Sequence, residues 1–135
     1  MLGRTSWRSA WLPFACWIAV IFGLSSIPDW SPPQVGFPMT DKLAHLGEYG
    51  VLGALWARAR SGQRGTVRTL LSGLILGSVV GALDEAYQSG TPGRQVSAFD
   101  ALADAIGAAG GGLAWVWYAA RRRRAGAPTE TRARR

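Results

Sequence analysis

From Ser9 to Pro28 no side chain carries a full charge, and an uncharged run of about twenty residues is long enough to cross the hydrocarbon core of a bilayer. The pattern predicts a first helix over about 9–27, with Pro13 in its first turn, where a missing N–H is tolerated. A cleavable signal peptide is the rival reading. It is disfavoured because no clear small-x-small cleavage site follows and three further apolar segments do. Pro28 to Thr40 holds four prolines and is expected to be a loop, with Trp30 and Phe37 suited to a membrane interface.

The three later apolar segments are interrupted. Only nine residues separate Glu48 from Arg58, fifteen separate Arg68 from Asp84, and sixteen separate Asp104 from Arg121. Each reaches spanning length only by taking ionisable residues into one end. The expected fold class is therefore all-α, an integral membrane bundle of four transmembrane helices at about 9–27, 40–57, 66–89 and 97–119. Residues 1–121 form the membrane domain in this reading, and 122–135 a basic, disordered cytoplasmic tail.

Small residues mark the packing faces. Gly73, Gly77 and Gly81 recur every fourth residue, as do Gly107 and Gly111, a spacing that lets helix backbones approach closely in lipid. Asp84 and Gln88 continue the first glycine stripe with Glu85 one step around, and Asp100 and Asp104 precede the second. On the second helix Asp41, His45 and Glu48 share a face. Close-packing faces and carboxylate faces thus coincide, which directs acids from different helices toward one outward-opening site. Thr40 is an expected N-cap with Asp41 in the first turn, and Ser97-x-x-Asp100 resembles a capping box. Pro92-Gly93 is an expected tight turn, after which Arg94 folds back over the acids, with Lys42 a second cationic partner.

Charge then sets the orientation. The net charge of +7 and pI near 11.0 would suggest nucleic acid, but the distribution excludes it. Thirteen of the fifteen basic residues lie in three clusters, at Arg4 and Arg8, from Arg58 to Arg68, and from Arg121 onward. Seven of the eight acids lie between those clusters, where Lys42 and Arg94 are the only basic residues. This is the sorting of loops across a bilayer by the positive-inside rule, with both termini cytoplasmic and the acids at the opposite face. The partner so implied is the lipid bilayer, not nucleic acid. One cysteine, Cys16, allows no intrachain disulfide.

Six carboxylates from Asp41 to Asp104 face Lys42, Arg94 and His45. Such a site must hold protons, bind a cation, or stay wet. His45, Glu48, Asp84 and Glu85 are the candidate catalytic acid/base residues and also the candidate ligands of a divalent cation. Asp41, Lys42, Gln88, Arg94, Asp100 and Asp104 are the candidate substrate-binding residues. A purely structural role explains Asp41, Ser97 and Asp100 well, but Glu48 and the Asp84-Glu85 pair poorly, because a buried carboxylate is costly. No Ser-His-Asp order or nucleophile elbow is present. Binding protein, membrane-embedded hydrolase or transferase, and proton- or cation-coupled transporter all stay open, as does homo-oligomerisation through exposed glycine faces.

Asp41-Lys42-x-x-His45-x-x-Glu48-Tyr49, Asp84-Glu85-x-x-Gln88, and Pro92-Gly93-Arg94 followed by Asp100 and Asp104-x-x-Gly107 resemble the three signature blocks of the VanZ-like membrane proteins. The resemblance covers roughly Trp11 to Tyr118 and rests on the order and spacing of the blocks together. Asp104 stands where that family often has Asn, and Gly90-Thr91 where an apolar pair is common. The resemblance implies a multi-pass protein of the bacterial inner membrane. The family takes its name from a member conferring low-level teicoplanin resistance, and the resemblance implies no particular reaction. The expected function is an outward-facing acidic site that recognises or modifies an envelope lipid, a lipoglycopeptide or a similar amphiphile, with an effect on glycopeptide susceptibility.

Overall fold

A computed structural model describes residues 7–28, 39–61, 65–93 and 97–126, and among these it is all-helical. Its elements are α1 (Trp7–Ser25), α2 (Thr40–Ala59), α3 (Thr66–Gln88) and α4 (Ala98–Ala125). Trp30, Phe37 and Arg94, and the tail from 127 onward, lie outside the described residues.

Hydrogen bonds at the two ends fix an up-down-up-down order. At one end the last turn of α1 meets that of α3, with Gln88 Nε2 donating to Ser25 Oγ at 3.1 Å, and the first turns of α2 and α4 meet through Lys42 and Asp100. At the other end Trp115 on α4 donates to Ser61 Oγ just after α2, and Arg58 on α2 donates to Ser9 O on α1. The first end gathers the acids of the described residues, and the second the arginines.

The stripes of small residues are where backbones meet. A methyl group on Gly107 would run into the Leu46 carbonyl, one on Gly111 into the Gly50 carbonyl, and one on Gly53 into the Ala108 carbonyl. Helices α2 and α4 are thus in backbone contact between residues 46–53 of the one and 107–111 of the other, an approach that the missing side chain of glycine permits. On α3, Gly77 faces Ala108, Gly81 faces the Asp104 side chain, and Gly73 faces Trp56. Helix α1 packs on α2 and α3 through aromatic rings. Trp11 and Phe14 lie 5.4 and 5.5 Å from the Trp56 ring.

Three local expectations need correction. Pro13 is not in the first turn but inside α1, whose described residues start at Trp7. Proline has no N–H to give the carbonyl four residues back, which is that of Ser9, and the Arg58 guanidinium reaches that oxygen at 3.3 Å instead. Helix α4 runs through Arg121–Arg124 to Ala125 rather than stopping at the arginines. Arg121 lies 4.0 Å over the Trp117 ring, and Arg122 Nε donates to Tyr118 Oη at 2.9 Å, so aromatic–arginine pairs four residues apart carry the helix onward. The N-cap of α2 is Met39, not Thr40, which lies inside the helix and is buried.

Burial does not follow side-chain polarity. Among the described residues eight polar or charged residues are buried beside nine apolar ones, while twenty-one large apolar residues are exposed. Helix α3 alone exposes Val67, Leu71, Leu74, Ile75, Val79 and Leu83. Two helices, α1 and α3, are long and apolar enough to cross a membrane. Helices α2 and α4 carry acids in their first turns and do not reach that hydropathy on their own.

Candidate functional site

The acidic end is assembled from α2, α3 and α4. Its centre is Asp104, which has no exposed surface and sets Oδ1 2.9 Å from His45 Nδ1. One turn earlier on both helices, Lys42 Nζ lies 2.6 Å from Asp100 Oδ1 and 2.6 Å from Asp41 Oδ2, one ammonium bridging two carboxylates. Because α2 and α4 run parallel here, the three-residue step from Lys42 to His45 matches the four-residue step from Asp100 to Asp104. Both steps climb about one helical turn.

Glu85 enters from α3 and is 6% exposed. Its Oε2 accepts the Ser97 backbone N–H at 2.9 Å, and its Oε1 is buried with no hydrogen-bond partner among the described residues. This contact replaces the expected capping box. Ser97 is the N-cap of α4 but makes no side-chain cap: the Asp100 N–H that its hydroxyl would accept goes to the Ser97 carbonyl at 3.0 Å, the Ser97 N–H that Asp100 would accept goes to Glu85, and Asp100 turns to Lys42. A local sequence motif is overridden by two tertiary contacts.

Asp84, one residue earlier, faces a different neighbour. Gln88 Nε2 donates to Asp84 Oδ2 at 2.8 Å and to Ser25 Oγ at 3.1 Å, tying the end of α3 to the end of α1. Asp84 Oδ1 and Asp104 Oδ2 are also buried without a partner among the described residues.

The stripe expected on α2 is rotated by about one position. The inward line runs through Lys42, His45, Tyr49 and Leu52–Gly53, since Gly50 and Gly53 must face the α4 backbone. The Asp41 side chain is consequently 44% exposed. Glu48 is half-buried beside α1, where Trp17 Nε1 donates to its backbone carbonyl at 2.8 Å. Of the quartet His45, Glu48, Asp84 and Glu85, the first and last share a group of candidate ligand atoms that includes neither of the other two. His45 and Glu85 come together with Asp100 instead, one ligand atom from each lying within 4.8 Å of the others.

Of the other expected residues, Lys42, Gln88, Asp100 and Asp104 all lie at this end, and Arg94 is outside the described residues. Two residues not nominated from the pattern also belong here. Tyr49, fully buried, stacks on His45 with centroids 6.5 Å apart and planes inclined by 16°, and its hydroxyl has no partner among the described residues. Its position four residues after His45 was the available signal. Ser25 gave none, because its role depends on how α1 docks.

Beside the polar cluster, between α2 and α4, runs an apolar groove of about 470 Å³ lined by Leu43, Leu46, Phe99, Leu102 and Ile106. Lys42 is the charged residue of its wall. Lys42, whose ammonium bridges Asp41 and Asp100, thus also lines an apolar groove, an arrangement suited to a molecule with a polar head and a hydrocarbon tail. No family model, curated protein or solved structure matches the chain in comparisons with known proteins.

Proposed function

We propose that the chain is a VanZ-like protein of the bacterial inner membrane, crossing it four times with both termini cytoplasmic, whose outward-facing acidic end binds the head group of a lipid-like envelope amphiphile. The tail of that molecule lies in the groove between α2 and α4. The observation that carries this reading is Lys42, shared between the carboxylate cluster and the apolar groove.

The membrane setting is supported by the inside-out burial, in which acids and amides are enclosed while Leu, Ile and Val face outward. It is supported too by the separation of the arginines from the acids at opposite ends of the bundle. Helices α2 and α4 span in this account because α1 and α3 help enclose their polar ends, so that lipid meets mainly their apolar flanks. Asp84, Glu85, Gln88, Asp100 and Asp104, which carry the VanZ-like resemblance, are all buried at one end of the bundle.

The test is the lipid retained by protein extracted directly into polymer nanodiscs, compared with the bulk membrane by mass spectrometry. An amphiphile enriched with wild type and lost in both Leu102→Trp, which fills the groove, and Lys42→Met is the expected result. Retained lipid indistinguishable from bulk would overturn the proposal.

A further inference from the structure

We propose that His45, Glu85 and Asp100 form a binding site for one divalent cation of the Zn²⁺ or Mn²⁺ type, with Asp104 as the residue that positions the imidazole. One ligand atom from each of the three residues lies within 4.8 Å of the other two, and the three come from three different helices. One imidazole nitrogen with carboxylate oxygens is the donor set of borderline and hard divalent ions.

Each ligand residue is held by one polar atom and offers another. His45 Nδ1 is engaged by Asp104 Oδ1, which leaves Nε2 for the cation, the usual relation between a metal-bound histidine and a carboxylate behind it. Glu85 Oε2 is held by the Ser97 N–H, while Oε1, on a side chain more than nine-tenths buried, has no partner among the described residues. Asp100 Oδ1 is held by Lys42. A buried carboxylate oxygen without a donor is costly, and a cation removes that cost.

Charge points the same way. Asp41, Glu85, Asp100 and Asp104 surround Lys42 and His45, and a divalent ion would offset most of the excess. Three protein ligands leave a coordination position open, as in catalytic rather than structural sites. An oxygen of a phosphate or hydroxyl head group would occupy it. That last step rests on the function proposed above, whereas metal binding itself is measured without any amphiphile.

The test uses tag-free full-length protein in detergent, stripped with chelator and titrated with Zn²⁺ and with Mn²⁺ by calorimetry. One equivalent per chain is expected, with at least a tenfold loss of affinity in Glu85→Gln and roughly 10–100-fold in Asp104→Asn, the range for disturbing a residue behind a ligand. Because the chain has a single histidine, pulsed electron paramagnetic resonance of the Mn²⁺-loaded wild type reads the site without any variant. Coupling to one imidazole nitrogen is expected. Uptake below one equivalent, Mn²⁺ with no nitrogen coupling, or unchanged affinity in folded Glu85→Gln would each overturn the site. An amphiphile retained by chelator-stripped protein that takes up no metal would overturn this inference alone. Stoichiometric metal without an enriched amphiphile would overturn only the function.

Discussion

Asp104 holds His45 Nδ1 at 2.9 Å with one carboxylate oxygen and presses the other against Gly81, where an added methyl group would meet it at 2.6 Å. The helix pair α3–α4 and the pair α2–α4 are therefore coupled through one wholly buried side chain. Replacing Asp104 by Leu removes the acceptor from a mostly buried imidazole N–H, which costs about 1–3 kcal/mol. Asp104→Asn keeps an acceptor oxygen and is expected to lose less. Thermal unfolding in detergent, followed by circular dichroism, should rank the melting temperatures wild type, Asp104→Asn, Asp104→Leu.

Gly110 and Gly111 are neighbours with opposite expectations. A methyl group on Gly111 runs into the Gly50 carbonyl of α2, whereas one on Gly110 meets nothing within 4 Å. Backbone cannot rotate aside as a side chain can, so Gly111→Ala should cost about 1–3 kcal/mol or more by forcing α2 and α4 apart. Gly110→Ala should leave stability unchanged or slightly raised, because alanine is the better helix former. Unfolding titrations of the two variants in mixed micelles check this. Equal stabilities would mean that α2 and α4 are not in backbone contact.

Much of this arrangement was legible in the sequence because glycine and carboxylate fall on common faces. Gly77, Gly81, Asp84 and Gln88 are all buried on α3, and Asp100, Asp104 and Gly107 on α4, as the spacing predicts. The starts of α2 and α3 fell at Thr40 and Thr66 as expected, where loop composition gives way to apolar runs. What the pattern missed depended on other helices. The rotation of α2 that half-exposes Asp41 follows from Gly50 and Gly53 having to meet α4. The capping box at Ser97 failed because Glu85, twelve residues away, competes for the same N–H. The end of α4 was misplaced because Trp117 and Tyr118 support the arginines that follow them. Neither Glu48 nor Asp84 is in the group of ligand atoms formed by His45, Glu85 and Asp100, since periodicity on one helix does not state which neighbour a residue will face.

The most direct test of the account is cysteine labelling of the two ends of the bundle, in a background where Cys16→Ala removes the native thiol. Gly90 lies exposed at the acidic end and Gly126 exposed at the arginine end, and neither position is crowded for a larger side chain. With a membrane-impermeant maleimide on intact protoplasts, Gly90→Cys should label fully, and Gly126→Cys only after permeabilisation. The reverse pattern would turn the acidic site toward the cytoplasm, and recovery of both variants in the soluble fraction would contradict the membrane assignment itself.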